Sequence, residues 1–211
     1  MVNGKPKGRR PVRPQRARRQ TAAGAARLGR ESWIAGGRAM LIAGGIAAVR
    51  IEPLATALAV TTGSFYWHFK DRDALLAAML DDWEQNNTLG MTAALAAHPD
   101  DPLRAFAAMT DVWIDEKVYS PAWDTAVRDW ARISTLAEQS VRRVDDRRIG
   151  MLHTLFRQLG YAEPEAFVRA RVAYFHQIGY YALQIVESRR TRKRLEPIYN
   201  RILLGKGGKH K

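Results

Sequence analysis

Apolar residues along this chain recur every three or four positions, and no stretch alternates with a period of two long enough to build a strand. The pattern predicts an all-α protein. A first helix is expected from about Arg30 to Ala43, with Trp33 and Met40 on one line and Ile34 and Leu41 on the next. Gly36 and Gly37 each weaken it by about 1 kcal/mol, so packing must hold it. Gly44 and Gly45 end it. A second helix starts at Glu52 or Pro53, turns Leu54, Ala55 and Leu58 inward, and gives way to a turn at Ala59 to Thr61. A fourth is expected from Arg72 to about Asn86, burying Leu75, Leu76, Met79 and Trp83; it joins what precedes it to the rest of the chain. After the HPDDP break at His98 to Pro102 come helices from Leu103 to about Val118 and from Pro121 to about Thr135, the latter with Trp123 and Trp130 one heptad apart. Leu136 to Leu159 reads as a long helix with Met151, Leu152, Leu155 and Phe156 inside, closed by Gly160. No internal repeat is visible.

The helix expected from Glu163 to Val186 carries two apolar stripes. One is Phe167, Tyr174, Ile178, Tyr181 and Ile185; the other is Val168, Val172, Phe175, Gly179, Ala182 and Val186. Such a helix must pack against two things, its own domain and a partner, or lie wholly buried in a monomer. Leu195, Ile198, Ile202 and Leu203 give a final helix with a clean stripe. Together the two could supply half of an intermolecular four-helix bundle, and Tyr174, Ile178, Tyr181, Ile185, Leu195, Ile198 and Ile202 are the candidate dimer residues.

Between the second and fourth helices, Val60, Phe65 and Phe69 form the apolar back of a short segment. Its opposite face carries Thr62, Gly63, Tyr66, Trp67 and His68. Thr61 is a suitable N-cap, and Gly63 lets a phosphate or base edge approach the backbone. Lys70 and Arg72 add positive charge, Arg50 could meet a phosphate, and Asp71 can cap the helix that follows. A helix entering the major groove reads bases with its N-terminal residues and meets phosphates with its flanks, which suits this arrangement.

The run AVRIEPLATALAVTTGSFYWHFKDRDALLAAML, Ala48 to Leu80, resembles the TetR family of bacterial transcriptional regulators. The resemblance implies that Thr62, Gly63, Tyr66 and Trp67 face bases, and that Ser64, His68 and Arg72 lie near phosphates. It also implies a two-fold homodimer whose last two long helices make the interface, and release of DNA when a ligand binds within the helical body. One departure is Ala59, where the family usually has glycine; a left-handed residue there costs alanine about 1 kcal/mol.

Charge changes the picture mainly at the N-terminus. The formal net charge is +13, from 34 basic and 21 acidic residues. Ten of the basic residues and none of the acidic ones fall within residues 1–30. Prolines 6, 11 and 14 with Gly4 and Gly8 break any helix in the first part of this arm, which is expected to be disordered in isolation. It can bind phosphates or reach a minor groove, or simply solubilise the chain. The GKGGKHK end is expected to be a flexible basic tail.

Enzyme chemistry finds little to rest on. The chain contains no cysteine. His68, His98, His153, His176 and His210 are scattered without metal-ligand spacing, and neither a nucleophile elbow nor a P-loop is present. No metal, cofactor or catalytic residue is expected. Arg142, Arg143, Asp145, Asp146, Arg147 and Arg148 read as a solvated helix face, and Arg189 to Arg194 as an exposed segment starting the last helix, with weak DNA or acidic-partner binding as the alternative. No apolar run approaches a membrane span and no signal-peptide core is visible, so a cytoplasmic location is expected.

Phe106, Met109, Trp113, Trp123, Trp130, Phe156, His176 and Tyr180 supply aromatic surface suited to a small apolar or amphipathic ligand, or else to ordinary core packing. The organisation expected is a basic arm (1–29), a three-helix helix-turn-helix DNA-binding domain (30–76), a helical regulatory, ligand-binding and dimerisation domain (77–204) and a basic tail (205–211). The function expected is a ligand-responsive repressor binding a pseudo-palindromic operator as a homodimer; the competing class is an architectural DNA-binding protein without an inducer.

Overall fold

The computed structural model describes residues 1 and 29–205, and both the basic arm and the tail lie essentially outside them. The described residues form nine α-helices and one 3-10 turn, with no strand among them. The helices are α1 (Arg30–Gly44), α2 (Ile51–Ala57), α3 (Thr62–Phe65), α4 (Arg72–Ala96), α5 (Pro102–Asp115), α6 (Pro121–Ala131), α7 (Thr135–Gln158), α8 (Glu165–Ala182) and α9 (Arg189–Leu204), with the 3-10 turn at Ile46–Ala48.

Local chemistry sets many of these limits. Asp71 accepts from the Ala74 amide at 2.8 Å to start α4, and Asp101 accepts from Arg104 at 3.0 Å to start α5. Ser120, Ser134 and Ser188 do the same for α6, α7 and α9. The first turn of α1 has no side-chain cap, and packing holds the helix. A Cβ on Gly36 would stand 2.7 Å from Leu54 Cδ1, and one on Gly37 2.7 Å from Met79 Sδ. The two glycines therefore mark where α1 closes onto α2 and α4.

Three sequence expectations change. Helix α4 runs on from Asn86 to Ala96, because nothing in that segment stops it; Gly90 lies where Val118 crosses, at 2.6 Å from a would-be Cβ. Helix α9 begins at Arg189 as expected, where Ser188 caps it, but its first turns are not simply exposed, with Arg192 and Lys193 half-buried. Its basic start is held by the acidic end of α5 through Arg189–Asp115, Arg192–Glu116 and Lys193–Asp111.

The third change concerns the charged run on α7. Arg142, Arg143, Asp146 and Arg147 are exposed, but Arg148 is buried and Asp145 turns inward to pair with Arg128. The reason is register: Arg148 lies one helical turn from both Val144 and Leu152, which are core residues.

Two apolar clusters fill the interior. One joins Trp33, Leu41, Leu54, Phe65, Met79 and Trp83 to Trp123, Val127, Trp130 and Val144, so the N-terminal helices share a core with α6 and the start of α7. The other gathers Met91, Phe106, Met109, Trp113, Leu152, Phe156 and Tyr174. Asn87, Thr88, Asp124 and Arg148 form a buried polar layer at the seam, since α4 passes from Trp83 through Asn87 to Met91 and α7 from Val144 through Arg148 to Leu152.

Candidate nucleic-acid interface

The turn between α2 and α3 is a Schellman motif. The Val60 amide donates to Ala55 O and the Ala59 amide to Thr56 O, each at 3.0 Å, with Ala59 left-handed at φ 55°. The strain expected at this alanine is thus present, and the turn keeps its geometry. Beyond it, Phe65 and Phe69 are buried and stack at 5.4 Å, and Trp33 of α1 meets Phe65 edge-on at 5.3 Å. This aromatic back fixes the orientation of a very short helix that continues as a turn through His68.

What the back fixes is an exposed front. Thr61, Thr62 and Gly63 are open, Tyr66 is 60% exposed and Trp67 87% exposed; Ser64 and His68 are half-buried and Lys70 is exposed. Thr61 occupies the N-cap position with extended backbone, but its side chain makes no capping bond; instead Ser64 Oγ donates to Thr61 O at 2.7 Å. The nearest atom to a Cβ on Gly63 would be 3.7 Å away, so the fold itself does not require glycine there.

Arg72 is largely committed to the scaffold. Its Nε donates to Val49 O at 2.6 Å and its Nη2 to Ile46 O at 2.8 Å, tying the start of α4 to the loop before α2. Arg50 is exposed, and together with Thr56, Thr62, Tyr66 and Arg72 it rims one open concavity between α2 and α3. Glu52 shares the rim, so the hollow sets Arg50 and Arg72 against one carboxylate; beside exposed Thr, Tyr and Trp side chains, this net positive rim can accept a phosphate strand while the protruding aromatics reach groove edges.

The residues named as ligand candidates separate into three groups. Phe106, Trp113, His176 and Tyr180 line one cleft between α5, α8 and α9, with about 560 Å³ of atom-free space partly open to solvent. Trp123 and Trp130 lie instead in the core shared with the N-terminal helices, where Arg38 of α1 stacks 4.6 Å from the Trp123 ring centroid. Met109 and Phe156 are closed core residues outside that cleft. Sequence reasoning did not single out Gln177, Glu196, Tyr199 or Asn200, which also line it. Burial lowers the His176 pKa below that of ordinary imidazole.

The stripes of α8 take opposite parts from those assigned to them as dimer candidates. Tyr174 is only 2% exposed; its hydroxyl donates to Asp145 at 2.5 Å and accepts from Arg128 at 2.9 Å. Tyr181 donates to Trp113 O at 2.9 Å, and Ile178 packs against the core. Both belong to the protomer's interior rather than to a free face. Left open on the helix are Val168, Val172 and Phe175, with Phe167 beside them; α8 ends at Ala182, short of the expected Val186, and left-handed Gln184 follows, so exposed Leu183, Ile185 and Val186 lie beyond its end. On α9, Ile198 and Ile202 are exposed and Leu195 is half-buried.

Among the described residues no helix is long and apolar enough to cross a membrane, and no cluster of His, Asp or Glu is placed to hold a metal.

Residues 34–79 match the family model of bacterial regulatory proteins, tetR family. The fold is similar to a Pseudomonas aeruginosa PAO1 protein provisionally described as a transcriptional regulator, with a TM-score of 0.70 and 14% identity over 85% of this chain and 91% of that one. It is likewise similar to a TetR-family transcriptional regulator from Agrobacterium tumefaciens, with a TM-score of 0.66 and 14% identity over 82% and 96%. A TetR transcriptional regulator from Legionella pneumophila gives a TM-score of 0.65 and 15% identity over 83% and 95%. No curated protein matches the sequence. At these identities the structural likeness speaks for the fold, and the family likeness rests on the helix-turn-helix, residues 34–79, which match the model of the tetR family of bacterial regulatory proteins.

Proposed function

We propose that the protein is a sequence-specific transcriptional regulator, a repressor that binds a pseudo-palindromic operator as a homodimer and leaves it when a small apolar or amphipathic molecule occupies its helical body. The observation that carries the DNA-reading part is the front of α3. Trp67, 87% exposed, stands beside Tyr66 on a segment whose back is locked by buried Phe65 and Phe69. Large aromatics held rigidly in solvent gain by burial in a groove, at roughly 25 cal/mol for each Å² covered.

In this proposal Thr62, Gly63, Tyr66 and Trp67 meet bases, while Arg50, Thr61, Ser64, His68 and Lys70 meet phosphates; Arg72 positions the head. The dimer forms along the exposed stripe of α8, Val168 to Ala182, with Ile198 and Ile202 of α9. Spacings of four and three alternate along Val168, Val172, Phe175, Gly179 and Ala182, the seam of a helical bundle. The working division is a head to residue 76 and a body from 77 to 204. The binding partners are duplex DNA, a second copy of the chain and the effector.

The test is selection of sites from a random duplex pool at physiological salt, in parallel with Tyr66→Ala. An inverted repeat enriched by the wild type and not by the variant supports the proposal. Tight, salt-sensitive binding without enrichment would overturn it in favour of an architectural DNA-coating protein.

A further inference from the structure

We infer that the cleft between α5, α8 and α9 binds an uncharged, planar aromatic molecule carrying a hydrogen-bond acceptor and a donor on its edge, of the lactam or carboxamide class. The inference rests on the ligand-responsive part of the function proposed above and supplies the chemistry of the ligand.

The walls are aromatic: Phe106 and Trp113 from α5, Tyr180 from α8 and Tyr199 from α9. Two residues lining the same cleft carry buried polar atoms without partners. Gln177 is only 6% exposed, and its Nε2 donates to nothing; Asn200 Oδ1 is buried and accepts nothing. The Asn200 amide is oriented by its other end, since Nδ2 donates to Glu196 at 3.4 Å, and turning it over would set oxygen against carboxylate. A buried donor and a buried acceptor left unmade are costly, and native interiors leave few of them. The other unpartnered side-chain atoms among the described residues are the indole nitrogens of Trp33, Trp83 and Trp123 and the Tyr119 hydroxyl, all within the packed core rather than in this cleft.

The charged groups of the cleft are already engaged, which argues for a neutral ligand. Arg192 binds Glu116 and donates to Trp113 O at 2.8 Å. Glu187 accepts from the Tyr180 hydroxyl at 3.3 Å, and Glu196 pairs with Lys193 at 3.4 Å. Among the buried polar atoms of the lining, those left unmatched are an amide nitrogen on α8 and an amide oxygen on α9. A lactam presents a carbonyl to the first and an N–H to the second, and in doing so ties α8 to α9.

The experiment is calorimetric titration of the full chain with 2-quinolinone and with naphthalene, for the wild type, Gln177→Met and Asn200→Leu. The expected result is binding of 2-quinolinone at one per protomer, with naphthalene about tenfold weaker or worse. Each variant should lose about tenfold for the lactam while its affinity for naphthalene holds, which also shows that the cleft is still folded. Equal affinity of the wild type for the two compounds, no lactam binding up to its solubility, or variants that leave the ratio unchanged would each overturn the site. Release of selected operator DNA is measured separately. Lactam binding without release keeps the site and removes the proposed ligand response, whereas release by some other compound without lactam binding does the reverse.

Discussion

The Arg148 guanidinium donates from Nη1 to Asp124 Oδ1 at 2.9 Å, with the two side chains 1% and 3% exposed. Asn87 and Thr88 complete the site: Arg148 also donates to Asn87 O at 3.0 Å and to Thr88 Oγ1 at 3.2 Å, and Asn87 Nδ2 donates to Asp124. Arg128 reaches the same carboxylate at 2.7 Å and carries the network on to Asp145 and Tyr174. Helices α4, α6, α7 and α8 are thereby joined by polar contacts where the two apolar clusters meet.

Removing Asp124 strands a buried guanidinium, and Asp124→Asn should cost about 3–5 kcal/mol in urea unfolding. Burial pushes the Asp124 carboxyl upward, but Arg148 and Arg128 outweigh it, so its pKa lies below the ordinary value of 3.8. A depressed folded pKa gives stability that is complete above the unfolded value and is lost as pH falls through the folded one. The wild type should therefore lose this contribution progressively below pH 3.8. Asp124→Asn, though weaker throughout, should show a shallower decline there; an equally steep decline would mean that other carboxylates set the acid limit.

Ala59→Gly should stabilise the fold. The left-handed backbone at φ 55° strains alanine, and the side chain is exposed, so glycine relieves about 1 kcal/mol and removes little contact. A thermal melt should show a rise; a fall would mean that the unfolded-state entropy of glycine outweighs the strain.

Gly37→Ala should do the opposite, although alanine is the better helix former by about 1 kcal/mol. A new Cβ would sit 2.7 Å from Met79 Sδ, and moving Met79 disturbs the core joining α1 to α4. The expected net loss is roughly 1–2 kcal/mol. Unchanged stability would mean that Met79 finds another rotamer at no cost.

Gly63→Ala separates folding from recognition. With no atom closer than 3.7 Å to the new Cβ, the melting curve should stay put or rise slightly. Affinity for selected DNA should fall about tenfold if a base edge or phosphate approaches that backbone. Intact affinity would place the nucleic acid elsewhere.

On α8, Phe175→Glu should shift a dimer to monomer in sedimentation at micromolar concentration, because it puts a charge on the exposed stripe. Tyr174→Phe should leave the assembly intact and lower stability by roughly 1 kcal/mol, through loss of the hydrogen bonds to Asp145 and Arg128. The reverse outcome would restore the inner stripe as the interface.

Much of this architecture was legible in the chain. The alternating punctuation of Ser, Asp and Pro before apolar runs marks α4 to α7, because a capped start is written in two or three adjacent residues. The head was legible because Phe65 and Phe69 bury one side of a segment whose other side is Tyr66 and Trp67. The two stripes of α8 were not: both are apolar, and only the positions of Arg128 and Asp145, on other helices, decide that Tyr174 goes inward. Arg148 hid in a charged run, yet its register between Val144 and Leu152 already placed it on the inner face. Gln177 and Asn200 carried no signal at all, since an amide becomes informative only when its surroundings fail to pair it.

Helix α4 is 25 residues without a break, from the Asp71 cap beside the α3 segment to Ala96 beside α5. At 1.5 Å per residue it is a rod of about 37 Å. Pivoting it by about 5° near its far end would sweep Arg72 and the attached head through an arc of about 3 Å. In a two-fold dimer the arcs add, and about 6 Å exceeds the roughly 3.4 Å between successive base pairs. Because the head shares its core with α6 and the start of α7, such a rotation must carry those elements along or shear that contact, and it would put the two heads out of step with adjacent turns of the duplex.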